Sequence, residues 1–388
     1  MRPKPLHDIR VLDLTRLLPG PVATLHLADM GADVIKIEDT GAGDYARAMG
    51  RAREGMSGIF RLLNRNKRGL RLDLKQPAGR DVFLRLTEDA DVIVEGFRPG
   101  VMSRLGLGYE SLAAINPRIV YCSISGYGQD GPYRERAGHD INYVGYAGVG
   151  DQIGAEGGEP VVPNFQIADL LGGALTPVMG MLAALVDAKA SGKGRYVDVS
   201  MTDATFAHAL WPLFGLLEEG RTPARGTTRL SGGLPCYGHY ATSDARHMAV
   251  GALEPKFWQA LCEALGCPEL KDEHLVYGSR AAPVKARLAA IFASHTQQYW
   301  AERLAKVDCC VTPVLTIEES LENEQLRARA MVVEENGSPR LALPVKFSEF
   351  EFAIERPAPR PGEHSEEILR TAGYGADEIA ALRSQKVI

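Results

Sequence analysis

Two short stretches gather side chains that can move a proton. Gly138-His139-Asp140-Ile141-Asn142-Tyr143 sets an imidazole beside a carboxylate at a predicted helix start, and Asp169 opens a long apolar run beginning Leu170-Leu171-Gly172-Gly173. An imidazole and a carboxylate are the ingredients of general acid–base or acyl-transfer chemistry, and neither needs a metal. A third acid, Glu254, stands just before Pro255 at another predicted helix start. Each residue also has a plainer reading. A single histidine is commonly a surface or satisfied core residue, Asp169 has the position of a helix N-cap, and Glu254 has the setting of a capping residue. For Asp169 the two readings are compatible, because the positive end of a helix keeps a carboxylate ionised and therefore basic or nucleophilic.

The elements that must position these residues alternate between strand and helix. Ile9 to Leu14 is β-rich and alternating, Pro21 to Met30 suits a helix, and Ala32 to Glu38 reads as a second strand, which makes a βαβ unit. A helix over Ala78 to Thr87 and strands at Asp91 to Val94, Arg118 to Ile124 and Arg195 to Ser200 continue the alternation. The expected fold is α/β with a doubly wound parallel sheet, whose ligands sit beyond the carboxyl ends of the strands.

Composition narrows the class of protein. The chain has 388 residues, 24% charged and 45% hydrophobic, and a net charge of -5, an ordinary globular balance with no bias toward nucleic acid. Its six cysteines form no C-x-x-C pair and residues 1–7 lack an apolar signal core, so a reducing cytoplasm is expected. The longest uncharged run, Leu170 to Val186, is 17 residues with three glycines and Pro177 inside it. That is short of the roughly 20 residues a membrane span requires, so a buried helix and no membrane are expected.

At this length two cores are expected. Glu219 to Gly226 and Leu230 to Pro235 read as a connection. Beyond it come strands at Tyr237 to Thr242 and His247 to Gly251, then helices from Pro255 and Ala281. The division expected is a large domain of residues 1–225 with 331–388, and a smaller α+β domain of residues 226–330. Gly154, Gly157 and Gly158 lie among Glu156 and Glu159 and read as a surface loop rather than a phosphate cradle. Cys309 and Cys310 precede Val311 to Leu315 and read as buried strand rather than nucleophile. The first βα turn, Thr15 to Gly20, has no G-x-G-x-x-G, which argues against a nicotinamide dinucleotide.

Ordered motifs along nearly the whole chain resemble the superfamily of family III CoA-transferases and α-methylacyl-CoA racemases. They include Leu18-Pro19-Gly20-Pro21, Gly31 to Glu38, Leu72-Asp73-Leu74-Lys75, Phe97-Arg98-Pro99-Gly100-Val101, Arg104-Leu105-Gly106, Gly138-His139-Asp140, Gly192-Lys193-Gly194 and Gly251 to Phe257. The resemblance implies a large Rossmann-like domain built from both chain ends, a smaller inserted domain and an interlocked homodimer. It also implies an acyl-CoA thioester as substrate, with no tightly bound cofactor.

In racemase-type relatives a histidine and an aspartate exchange the α-hydrogen, and His139 and Asp169 match their positions, with Glu254 matching the carboxylate that orients the histidine. The phosphates of CoA need cations, and Arg98 and Arg104, close to a strand end and a predicted helix start at Pro99, are suited to hold them. By the same resemblance Lys75, Leu72, Phe97 and Asp140 line the CoA site, with Arg51 as a further candidate. Two activities follow. One is racemisation of 2-methylacyl-CoA thioesters, favoured by His139 and by Ser231-Gly232-Gly233-Leu234-Pro235. The alternative is CoA transfer between carboxylic acids, with Asp169 attacking the thioester to form a mixed anhydride.

Overall fold

The computed structural model describes residues 2–53 and 56–388. It forms two compact units, one of residues Met1–Ala147, Asn164–His208 and Arg327–Ile388, the other of Gly148–Pro163 and Ala209–Leu326. The tail returns to the first unit, so the second is an insertion. The segment 148–163 and the residues from 209 onward group with the second unit, whereas the sequence reading placed the boundary at 225.

The first unit is built on six strands: β1 (Arg10–Asp13), β2 (Asp33–Glu38), β3 (Lys67–Arg71), β4 (Val92–Glu95), β5 (Val120–Ser125) and β6 (Tyr196–Ser200). All are parallel, in the order β3-β2-β1-β4-β5-β6. This is the strand order of a doubly wound Rossmann-type sheet, and the order reverses between β1 and β4, where a crevice is expected at the carboxyl ends. Burial on both faces explains the apolar runs: Val11 and Leu12 of β1 and Val92, Ile93 and Val94 of β4 are sealed from solvent.

Strand β3 went unread in the sequence, because Lys-Arg-Gly-Leu-Arg does not resemble a buried strand. Its cations are neutralised in place. Lys67 Nζ reaches Asp13 Oδ2 (3.1 Å), Thr24 Oγ1 (2.8 Å), Asn64 Oδ1 (2.9 Å) and the Pro21 carbonyl (2.9 Å), and Arg68 pairs with Asp33 at 2.6 Å. Burial lowers the proton affinity of Lys67 and the Asp13 carboxylate partly restores it, leaving the amine at about 8. The chain end completes the core: Ile368, Leu369, Ile379, Leu382 and Val387 pack with Leu12, Ile35 and Leu70. Val387 also accepts a hydrogen bond from the Asp73 amide at 2.8 Å.

Helix α1 (Pro19–Asp29) follows β1, and α2 (Gly58–Leu63) and α3 (Pro77–Glu88) flank β3. After β4 come the short α4 (Val101–Arg104), preceded by Gly100 with φ 79°, and α5 (Tyr109–Ile115). Between β5 and β6 lie α6 (Asp140–Tyr146), a π-helical segment over Ala168–Leu175, and α7 (Thr176–Ser191), which continues that segment without a break. The combined helix is 24 residues, long and apolar enough to cross a membrane by length and composition. The expectation of a buried helix is only half met. Its first turns pack on α1 and α8 (Met201–Ala207), yet Leu175, Met179 and Val186 are 52%, 66% and 72% exposed.

The second unit holds an antiparallel three-stranded sheet, β7 (Tyr237–Ala241), β8 (His247–Gly251) and β9 (Val311–Pro313), with β8 central. The unit also holds α9 (Leu210–Glu219), α10 (Pro255–Leu265), α11 (Ala281–Phe292) and α12 (Gln297–Leu304). Its core gathers Trp258, Leu261, Leu288, Phe292 and Trp300. Cys309 is buried in it, but Cys310, read from the sequence as buried strand, is exposed and adopts φ 52° just before β9. Helix α9 presents Leu210, Trp211, Phe214 and Leu217 on its surface.

Candidate active site

A cavity of about 760 Å³ opens in the first unit at the carboxyl ends of β1, β4 and β5. Its walls include the turn Thr15–Gly20, Phe97 and Arg98 after β4, Ser125 to Tyr127 after β5, His139 and Tyr143 of α6, and Gln166 and Asp169. His139 and Asp169, 30 residues apart in sequence, therefore face one space.

The local sequence explains how each is presented. His139 occupies the N-cap of α6 in extended backbone (φ -131°, ψ 176°), and its amide donates to Asn142 Oδ1 at 3.0 Å, leaving the imidazole exposed to the cavity. Asp169 is not an N-cap. It is the second residue of the π-helical segment, whose cap is Ile167. The amides at this helix start are satisfied by Asp140 instead: its Oδ1 accepts from Ala168 N at 2.7 Å and from Asp169 N at 3.0 Å. The π-turn itself depends on two glycines. A β-carbon on Gly172 would lie 2.8 Å from the Met201 backbone, and one on Gly173 would lie 2.4 Å from Pro19 Cβ. Their absence lets the segment press against the starts of α8 and α1, and π-turns of this kind often mark functional sites.

Burial raises the Asp169 carboxyl to about 6, the neighbouring Asp140 charge adds to the rise, and His139 opposes it. No described side chain or amide donates a hydrogen bond to this carboxylate. Tyr143, whose hydroxyl donates to the Gly138 carbonyl at 2.5 Å, is raised to about 12 by burial and then by Asp169. A carboxyl group poised near neutrality in a cleft is the condition under which it serves as acid or base at physiological pH.

The turn after β1 is held from below. Lys36 and Asp44, both sealed from solvent, pair at 2.8 Å. Lys36 Nζ donates to the Thr15 carbonyl at 2.9 Å, and Asp44 Oδ1 accepts from Leu17 N at 3.0 Å. Leu17 itself adopts φ 65°, a conformation that a branched aliphatic residue holds only when its surroundings impose it. Arg16 stacks its guanidinium over both Tyr45 and Phe97, 5.4 Å from each ring centre.

Of the remaining sequence candidates, Phe97 and Arg98 line the cavity. Arg104 folds back on its own turn, its Nη1 3.0 Å from the point a β-carbon on Gly100 would occupy. Lys75 is exposed beyond β3, with its amide bound to Asp73 Oδ1 at 3.0 Å, and Leu72 is a core residue. Arg51 faces a different cavity, of about 580 Å³, together with Arg61, Arg340 and Arg360. Glu254 belongs to the second unit, where it caps α10 without a side-chain hydrogen bond to the helix. Asp140 is turned toward the helix amides rather than into the cavity. Gln166, Tyr127, Tyr143 and the Thr15–Leu18 turn were missed in the sequence, because only the fold brings these segments together. Among the described residues no group of three or more His, Cys, Asp or Glu side chains could hold a metal ion.

The Rossmann-type sheet and its switch-point cavity, with an imidazole and a near-neutral carboxyl in one wall, define an α/β enzyme of acid–base or acyl-transfer type. Residues 6–365 match the model of CoA-transferase family III, and the chain belongs to that family. It is 38% identical over 389 residues to the alpha-methylacyl-CoA racemase of Homo sapiens, covering 99% of this chain and 97% of that protein. It is 32% identical over 398 residues to the succinyl-CoA:glutarate CoA-transferase of Homo sapiens, covering 99% of this chain and 90% of that one. The crystal structure of a CAIB/BAIF family protein from Brucella suis superposes with a TM-score of 0.83 at 31% identity, over 96% of this chain and 100% of that one.

Proposed function

We propose that this enzyme racemises 2-methylacyl-CoA thioesters at the α-carbon. The observation that carries the reading is that His139 and Asp169 face one cavity, with the carboxyl of Asp169 raised to about 6. The thioester acidifies the α-hydrogen. One group takes that proton, leaving an enolate, and the other returns a proton to the opposite face, so the bond broken and the bond formed are both C–H and no other reactant is consumed. Coenzyme A enters as part of the substrate rather than as a resident cofactor. Arg98 in the cavity wall pairs with its phosphates, with Phe97 beside it in the same wall and Arg104, on the following turn, as a second phosphate contact.

The test is incubation with a 2-methylacyl-CoA in deuterated water without any free acid. Deuterium at the α-carbon is the expected result. The second reading, CoA transfer through an Asp169 mixed anhydride, is favoured by the relatives that are CoA-transferases. Turnover that requires an acceptor carboxylate and leaves the α-hydrogen in place would establish that reading over ours.

We further place the protein as a homodimer in a reducing compartment. Leu175, Met179 and Val186 of α7 and Leu210, Trp211 and Phe214 of α9 are exposed apolar surface of a kind that monomers rarely carry, and all six cysteines are free thiols.

A further inference from the structure

We propose that Asp140 is a positioning residue that governs Asp169 through two amide hydrogen bonds and its own negative charge. The inference rests on the catalytic reading of Asp169. Its geometry is independent of that reading, because the Asp140 carboxylate is bound to the amides of Ala168 (2.7 Å) and Asp169 (3.0 Å). The first amides of a helix have no partner within it. Here they are taken by a side chain from α6, so the residue next to His139 anchors the backbone that carries Asp169. One dipeptide thus presents the imidazole and fixes the opposing carboxylate.

The second effect is electrostatic. The groups facing Asp169 are His139, Asp140 and Tyr143 from α6 and its cap, with Arg16, Arg98, Tyr127, Arg134 and Arg136 elsewhere in the cavity wall. The starts of α1 and α8 contribute Pro19 and Met201, which carry no charge. Asp140 is the anion of this set. It raises the proton affinity of Asp169 beyond what burial alone does, and so moves this carboxyl group further toward the pH at which it can give a proton as well as take one.

The two effects separate by substitution. Asp140→Asn keeps an oxygen that can accept from both amides but removes the charge, whereas Asp140→Ala removes both. The measurement is α-hydrogen exchange of a 2-methylacyl-CoA against pH, for the wild type, both variants and Asp169→Asn. In Asp140→Asn the acidic limb should move to lower pH, so that the rate at pH 5 relative to pH 7.5 rises by about fivefold. In Asp140→Ala kcat should fall by about tenfold or more with KM for the thioester little changed, since the carboxylate does not line the cavity. An unmoved acidic limb in Asp140→Asn, with Asp169→Asn inactive, would overturn this inference and leave the role of Asp169 standing. Wild-type exchange in Asp169→Asn would overturn both. A raised KM for either Asp140 variant, with the limb unmoved, would show Asp140 contacting the substrate directly instead.

Discussion

Replacing Asp169 by Asn should abolish exchange and, at the same time, make the protein more stable above pH 6. Folding raises this carboxyl from 3.8 to about 6, mostly by burial. The folded state therefore binds the proton more tightly than the unfolded state, and keeping the group ionised costs stability once the pH exceeds the folded value. The rise corresponds to about 3 kcal/mol at 1.36 kcal/mol per pH unit. Because the residue is half-buried, solvent screening reduces this to about 1–2 kcal/mol. Asn has the same shape and carries no charge, so the variant lacks the cost. The sign follows directly: the gain of Asp169→Asn over wild type is full at pH 8, shrinks as the pH falls through about 6, and vanishes below about 4, where both states of the wild type are protonated. Urea unfolding at pH 8 and pH 4.5, at one protein concentration, measures it. Equal midpoints at pH 8, or a destabilised variant, would refute the claim that this carboxyl is held ionised against its surroundings. A stabilised but inactive variant is the pattern of a group placed for chemistry at the expense of the fold.

Two further outcomes are expected. Arg98→Ala should weaken binding of free CoA by about tenfold or more and flatten its dependence on salt, measured by calorimetry at 50 and 300 mM salt, while Arg104→Ala tests the other proposed phosphate contact; unchanged affinity in the double variant would remove both from the site. If the protein is an interlocked homodimer, it should sediment at twice 42.1 kDa and show no folded monomer on dilution, whereas a concentration-dependent equilibrium between folded species would contradict interlocking.

Strands β4 and β5 were legible because both of their faces are buried. Val92 to Glu95, Val120 to Ser125 and Tyr196 to Ser200 fall within a residue or two of the expected ranges. Strand β3 was not legible. Its Lys67 and Arg68 are buried by pairing with Asp13 and Asp33, partners 54 and 35 residues away, and hydropathy carries no trace of a compensating charge so remote. The same limit applies at the site. His139 and Asp169 announce themselves by type, but the Asp140 carboxylate sits beside His139 in sequence and serves the amides of residues 168 and 169. Its position in the motif suggested a ligand contact, and only the fold shows which backbone lies opposite. The π-turn was hidden for a related reason: Gly172 and Gly173 read as part of an ordinary buried helix, whereas their role is the close approach of Met201 and Pro19.

The return of the chain end to the first sheet has a consequence for biosynthesis. The core of the second unit runs from Leu234 to Cys309 and is complete in sequence once those residues have emerged. The core around β1, β2 and β3 includes Ile368, Leu369, Ile379, Leu382 and Val387. Although β1 is made first, its hydrophobic layer cannot close until Val387 has left the ribosome. Through most of translation the nascent chain therefore carries an unfinished parallel sheet, with strands such as Val92–Glu95 exposed to chance pairing, while the inserted unit is free to fold. The stretch of synthesis between Cys309 and Val387 is the interval in which this protein most needs a chaperone.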